Sequence, residues 1–326
     1  MFFCIFLIKG AVIKMTALNT NGQEPKQPVE EVLAAASRHG LQLDPGSVEL
    51  NESGMDFRVA FASDDAGARW VLRQPRREDV WERAENERKV LGFLQGKLPV
   101  EVPDWRIFTP ELIAYPLLGG HPVAAVDPAG GGYAWRCEQA SLPELFFDSL
   151  AQTLAALHAV DHEVAAAAGV RVKRPQEARE AFADNIEEIR RSFEIPEPLA
   201  ERWNAWLAAD SYWPEHSTLN HGDLHPPHIL VDEMQRVTGL IDWTEAECGD
   251  PGKDFVIFFA LFGEEGLRDL LRRYERLGGR VWPRMPQHIA EQWAAYPALV
   301  AKFALTTGRE ADMEMARGMI AHWQTG

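Results

Sequence analysis

The sequence predicts an α+β chain of two lobes, a small β-rich N-terminal lobe and a large, mainly helical C-terminal one. Three observations carry this. Apolar residues alternate with polar or small ones over 56–63, the period of a strand. From about residue 142 they recur instead at three- and four-residue intervals, the period of helices. A single compact β stretch, 219–241, interrupts that helical half. The 326 residues are 46% hydrophobic, with 25 Gly and 21 Pro spread without period. Such a chain buries a proper core, and disordered, collagen-like and coiled-coil classes are excluded.

In chain order, 28–40 opens with Pro28 and closes with Gly40, ordinary helix punctuation, with Val29, Val32, Leu33 and Ala36 on one side. Phe57, Val59 and Phe61 give 56–63 one apolar face, a half-buried strand. A turn at 64–67 joins it to a second strand, 69–74, so the pair forms a hairpin. A helix over 78–95 ends at Gly96 and Pro99. The apolar run 112–118 is a short strand leading into Gly119 and Gly120, a hinge at 115–120. Helices are expected at 142–160, 176–193 and 198–209, and over most of 254–323. The division is therefore 28–116 and 117–326, preceded by a flexible start, 1–27. Within that start the apolar run 2–8 is followed by Lys9 and Lys14, the reverse of a secretory signal, and is too short to span a bilayer. Met15 is the expected true first residue.

With 49 acidic and 33 basic residues the net charge is −16. Phosphodiester binding needs clustered positive charge, so no nucleic-acid partner is expected. A cationic or amine-bearing small molecule suits such a field better. Cys4, Cys137 and Cys248 form neither a disulfide framework nor a CxxC site. A cytoplasmic monomer without a membrane partner is expected.

The densest chemistry is His221-Gly-Asp-Leu-His-Pro-Pro-His228, followed by a hairpin of 229–231 and 237–241 around a polar turn, 232–236. The hairpin returns the chain to Asp242, so that Asp223, His228 and Asp242 converge at strand ends. The spacing HxDxHxxH also suits a transition-metal hydrolase. His221 and His225 equally suit a structural role, holding the loop through ring hydrogen bonds. Asp250 and Asp254 read as a turn and a helix N-cap. In the helix 78–95, Val80, Ala84, Leu91 and Leu94 form an inward stripe that includes Glu87. An inward carboxylate is costly unless paired. Strand alternation puts Arg73 with Val71 on one face, opposite Trp70 and Leu72, so an Arg73–Glu87 ion pair is expected. That pair serves either a phosphate site or the simple attachment of helix to sheet.

HGDLHPPHIL followed by IDWTEAECGDP resembles the catalytic loop and metal-binding aspartate of the aminoglycoside phosphotransferase and protein-kinase-like family, and within it most resembles the macrolide 2'-phosphotransferases. The resemblance runs from about residue 49 to the C-terminus. It implies a protein-kinase-like fold with nucleotide bound by 28–116, and catalysis and substrate binding in 117–326. Asp223 would be the catalytic base on the acceptor hydroxyl. Asp242 and His228 would hold Mg²⁺. The wider family has asparagine where His228 stands, and magnesium prefers oxygen, so a water-mediated or phosphate contact stays open for His228. Arg73, paired with Glu87, would take the place of the strand lysine beside the phosphates, as a fork rather than a point charge. Ser53, Gly54 and Met55 would offer backbone N–H groups to phosphate, or form an ordinary turn. Tyr115 and Leu117 would meet the nucleobase at the hinge.

The resemblance favours GTP as donor, with ATP as the alternative. The C-terminal part is rich in aromatic residues, and Trp282, Met285 and Tyr296 near the broken stretch 277–286 are its candidate cleft residues for a macrolide. Few acids accompany them, which tilts the acceptor toward the macrolide amino-sugar 2'-hydroxyl, with antibiotic resistance as the effect, and away from an aminoglycoside. A kinase of an aminoglycoside or another small metabolite is the alternative with the same fold. A nucleotide-binding pseudoenzyme is suggested by the residues at 73 and 228.

Overall fold

The computed structural model describes residues 28–323 apart from 53, 55, 79 and 128–131. The expectations for 1–27, including Met15, and for Ser53 and Met55 lie outside the described residues. The N-terminal part comprises α1 (Pro28–Arg38), β1 (Glu49–Asn51), β2 (Phe57–Ser63), β3 (Arg69–Pro75), α2 (Val80–Leu94), β4 (Ile107–Thr109) and β5 (Leu112–Pro116). The strands form one antiparallel sheet in the order β1-β2-β3-β5-β4. Asp64 closes the β2–β3 turn: one carboxylate oxygen accepts the Ala66 and Ala68 amides and the other the Trp70 indole N–H, each at 2.9 Å.

Both faces of this sheet are covered, where a half-buried strand was expected. Ala60, Ala62, Leu72 and Ala114 pack against Val32, Ala35 and Ala36 of α1. Phe57, Val71, Ile113 and Tyr115 pack against Val80 and Ala84 of α2. The alanine face is the more deeply buried of the two on β2, since small side chains let α1 lie close to the backbone.

The C-terminal part runs β6 (His121–Pro122), β7 (Ala124–Val126), β8 (Tyr133–Trp135), α3 (Glu144–His158), α4 (His162–Ala167), α5 (Pro175–Ile189), α6 (Glu197–Ala208), β9 (Thr218–Asn220), β10 (Ile229–Val231), β11 (Val237–Leu240), β12 (Glu247–Gly249), α7 (Val256–Arg276), α8 (Met285–Ala294), α9 (Tyr296–Thr307) and α10 (Glu310–His322). Strands β1, β4, β6, β7, β8 and β12 were not foreseen; with two or three residues each they carry no readable period. One core gathers around Leu154, Trp243, Phe255 and Tyr274, and a second around Trp203, Trp206, Ala301 and Ile320.

Two pairings position the site. β10 pairs with β11, and β9 with β12, both antiparallel. The loop leaving β9 at Asn220 therefore lies between the end of the β10–β11 hairpin and the segment entering β12. Leu154 of α3 is fully buried in the core below this junction. Leu154→Ala is expected to cost about 2–5 kcal/mol, read as a lowered thermal midpoint with an unchanged circular dichroism spectrum in the cold.

Candidate active site

Gly222 starts the loop geometry. Its φ is +86°, and a Cβ there would stand 2.2 Å from the Glu245 carbonyl oxygen, so only glycine fits. The loop is then clamped from below by Asp254. One oxygen of this buried carboxylate accepts the His221 amide at 2.9 Å, and the other accepts the Gly222 amide at 2.8 Å. His158 Nε2 donates to the same carboxylate at 3.2 Å, its Nδ1 meeting the Tyr274 hydroxyl at 2.9 Å. Burial alone would raise the Asp254 carboxyl, but these donors hold it below its ordinary value. The cap expected of this region is made by Asp250, which accepts the Gly252 amide at 2.8 Å. Asp254 is instead the anchor of the loop.

The histidines divide by role. His221 is fully buried, its ring N–H donating to the Ile241 carbonyl at 3.0 Å, and burial pushes it down to about 4, so it is neutral. His225 is buried as well, 3.2 Å from the Tyr133 hydroxyl, and burial holds it well below the ordinary imidazole value. His228 uses Nδ1–H on the Asp223 carbonyl at 2.9 Å. Its Nε2 therefore faces away from that carbonyl, toward Asp242, whose Oδ2 is 3.6 Å distant.

Asp223 presents its carboxylate with no hydrogen bond from a described residue; His225 and His228 approach no closer than 3.9 Å. Burial chiefly, then the carboxylates of Asp242 and Glu245, raise it to about 6 against the opposing His228. Asp242 holds an unusual backbone for a non-glycine residue, φ +63°. Desolvation would raise its carboxyl, but His228 and Arg73, with a hydrogen bond from Thr244 at 2.8 Å, hold it well below the carboxylate range. Asp223, His225 and His228 are the described His, Cys, Asp or Glu residues whose ligand atoms gather within 4.8 Å. The His228 Nδ1 nearest Asp223 is already donating, however, so the ring nitrogen left for a ligand is Nε2, on the Asp242 side. A hard cation fits there with Asp242 as its direct oxygen ligand and His228 beside it.

The Arg73–Glu87 pair forms at 2.8 Å, its side chains 7% and 0% exposed. Glu87 also accepts the Trp243 amide at 3.2 Å and lies 3.0 Å from the Thr244 hydroxyl, which thus stands between the carboxylates of Glu87 and Asp242. Burial raises the Glu87 carboxyl and the Arg73 charge opposes it. Thr244, not foreseen, has no signal in the sequence beyond following Asp242 by two. Ahead of β2, a Cβ on Gly54 would stand 2.6 Å from the Phe57 carbonyl oxygen.

At the hinge two expectations are corrected. Tyr115 lies opposite Val71, two residues along the same ladder from the Arg69–Leu117 bond, so its backbone groups face β3, and its side chain packs with Phe57, Val71 and Ile113. The Leu117 amide donates to the Arg69 carbonyl at 2.8 Å and so is committed to the sheet. Strand alternation turns the Pro116 carbonyl and Leu118 amide the opposite way, as the Ala114 carbonyl shows by accepting from Arg106.

A cavity of about 370 Å³ opens beside Asp223. Its wall is largely apolar, with Phe182, Trp206, Trp213, Trp293 and Tyr296. Of the three expected cleft residues only Tyr296 is there. Met285 is fully buried in the core, and the Trp282 indole donates to the Tyr212 carbonyl at 2.8 Å with its ring against His288. An aromatic facing a cavity has the same helical spacing as one facing the core, so Phe182 and Trp206 could not be singled out.

The pattern described as the phosphotransferase enzyme family matches residues 47–288. The chain belongs to that family. This phosphotransferase is similar in structure to the macrolide 2'-phosphotransferase MphH from Brachybacterium faecium, with a TM-score of 0.83 and 44% identity over 89% of this chain and 98% of that one. A type I macrolide 2'-phosphotransferase gives a TM-score of 0.83 and 42% identity, covering 94% and 99% of the two chains. The uncharacterised protein YcbJ of Bacillus subtilis (strain 168) is 47% identical over 93% of this phosphotransferase and 97% of its own length. No helix among the described residues is long and apolar enough to cross a membrane.

A carboxyl raised to about 6 disfavours the charged form in the folded protein, so stability is lost as pH rises from about 4 through 6. In metal-free protein, Asp223→Asn should unfold at a higher temperature than the wild type at pH 8. The gap should close as the pH is lowered toward 4.5; thermal denaturation at both pH values checks this.

Proposed function

We propose that this phosphotransferase moves the γ-phosphate of a purine nucleotide, GTP by preference over ATP, to the 2'-hydroxyl of a macrolide's amino sugar. The observation that supports it best is the Asp223 carboxylate. It has no hydrogen-bond partner among the described residues, is poised near neutrality and faces a large apolar cavity, while His228 stands between the Asp223 backbone carbonyl and Asp242. Phosphoryl transfer asks a protein mainly for alignment and charge neutralisation. Asp223 orients the acceptor hydroxyl and takes its proton as the oxygen attacks. Arg73, held by Glu87, presents positive charge to the nucleotide phosphates. The Pro116 carbonyl and Leu118 amide are the groups for the base edge, and Gly54 allows the chain before β2 to bend close over the phosphates. Asp242 would hold Mg²⁺, with His228 through water or against phosphate; the ion supplies neutralisation of charge on the phosphate oxygens.

The cavity's charges separate the acceptors. Asp223, Glu247 and Asp250 are matched there by Lys173, Lys253 and Lys302, so the wall carries no excess of acid for a polycation. A bulky, mostly apolar lactone bearing one amine suits it better. Phosphorylation beside that amine would confer resistance in the cytoplasm, where we place the enzyme as a monomer.

Labelled GTP and ATP incubated with erythromycin, with kanamycin and with no acceptor test this reading. Label is expected in erythromycin, more from GTP. Transfer to kanamycin alone would support an aminoglycoside kinase, and nucleotide binding without transfer a pseudoenzyme. Asp223→Asn should lower kcat by about 10²–10⁴-fold with nucleotide affinity nearly unchanged. Asp242→Asn should instead abolish the magnesium dependence of nucleotide binding, measured by calorimetry with and without the metal.

A further inference from the structure

We propose that Glu247 is the anion that seats the acceptor's ammonium group. The inference rests on the acceptor reading above and adds to it a specificity-determining residue. It comes from counting lone pairs on the acids of the cavity. Asp250 has donors on both oxygens: one accepts the Gly252 amide at 2.8 Å, and the other takes His288 Nε2–H and the Gln292 amide, each at 2.6 Å. Asp223 is occupied by the acceptor hydroxyl in the proposed reaction. Glu247, only 8% exposed, spends one oxygen on Lys173 at 2.8 Å. Its second oxygen has no hydrogen-bond partner among the described residues. A protonated tertiary amine carries a single N–H and needs one such acceptor.

Position agrees with this count. In β12, Glu247 and Gly249 both line the cavity, and the intervening Cys248 is buried in the core, as period-two alternation requires. Glu247 lies directly opposite Asn220 of β9, three residues before Asp223. Three extended residues span about 10 Å, and the turn at Gly222 shortens this, so one amino sugar reaches both carboxylates. Lys173 does not block the site, because its side chain is 48% exposed and has water as an alternative. Apolar walls around the carboxylate weaken screening and strengthen the pairing.

Loss of a charge-assisted hydrogen bond of this kind corresponds to roughly a 10–100-fold change. With magnesium and GTP present, Glu247→Gln should raise the KM for erythromycin by that factor. Its kcat and nucleotide KM should stay within about twofold of wild type, whereas Glu247→Asp, which keeps the charge, should fall between the two. With a macrolide lacking the dimethylamino group, Glu247→Gln and wild type should have equal KM values. An unchanged KM for erythromycin would overturn the proposal. A penalty that persists with the deaminated acceptor would do so as well, assigning Glu247 to the structure of β12. So would Lys173→Ala raising KM as much as Glu247→Gln, which would make the pair itself the requirement. A wild-type enzyme that labels no macrolide overturns the acceptor reading and this inference with it; labelling by the wild type with any of the preceding results defeats the inference alone.

Discussion

The carboxylate of Glu87 is the constraint on which the rest of the site depends. It is fully buried on α2, and a buried carboxylate without a counter-charge costs several kcal/mol. Arg73 supplies that charge from the sheet, while the Trp243 amide and the Thr244 hydroxyl approach from the other lobe. One residue thus joins the sheet, the helix and the turn that carries Asp242. The neighbouring Asn86 amide donates to the Ala246 carbonyl at 3.0 Å, giving α2 a second hold on the same segment. That segment continues to β12, and its Glu245 carbonyl is the group that leaves no room for a side chain at Gly222. The position of α2 is therefore transmitted to the catalytic loop through backbone contacts.

Within the loop, charge is distributed by burial. His221 and His225 lose so much solvent that they stay neutral and serve as spacers and hydrogen-bonding struts. His228 is oriented by the Asp223 carbonyl, so the proposed base and the proposed cation side of the site move together. Asp254 receives two consecutive loop amides and a histidine, which satisfies its own charge and removes two unpaired donors from the loop. Among the described residues Asp223 is the acid left without such partners, which suits the proposed role of proton acceptor.

Much of this was legible before the structure. Strand alternation placed Arg73 on the inner face, and the helical stripe placed Glu87 there, because both are local consequences of backbone period. The β10–β11 hairpin followed from two apolar runs around a polar turn, and with it the approach of Asp242 to the loop. The anchor at Asp254 was misread as a cap, since its partners lie 32 and 33 residues earlier in the chain and no local pattern records them. Leu117 was expected at the base because the sequence does not say which of two adjacent amides the sheet consumes. Trp282 and Met285 were chosen for their loop neighbourhood, whereas the cavity wall is built from helix residues indistinguishable from core.

The left-handed backbone at Asp242 has an evolutionary consequence. Asparagine and glycine tolerate φ +63° but lack the charge, and glutamate keeps the charge but loses the local fit that lets aspartate sit there. Every single replacement surrenders either conformation or ionisation. If Asp242 holds the metal as proposed, the position has no neutral route of drift, and lineages that lost the aspartate would regain function most directly by reversion.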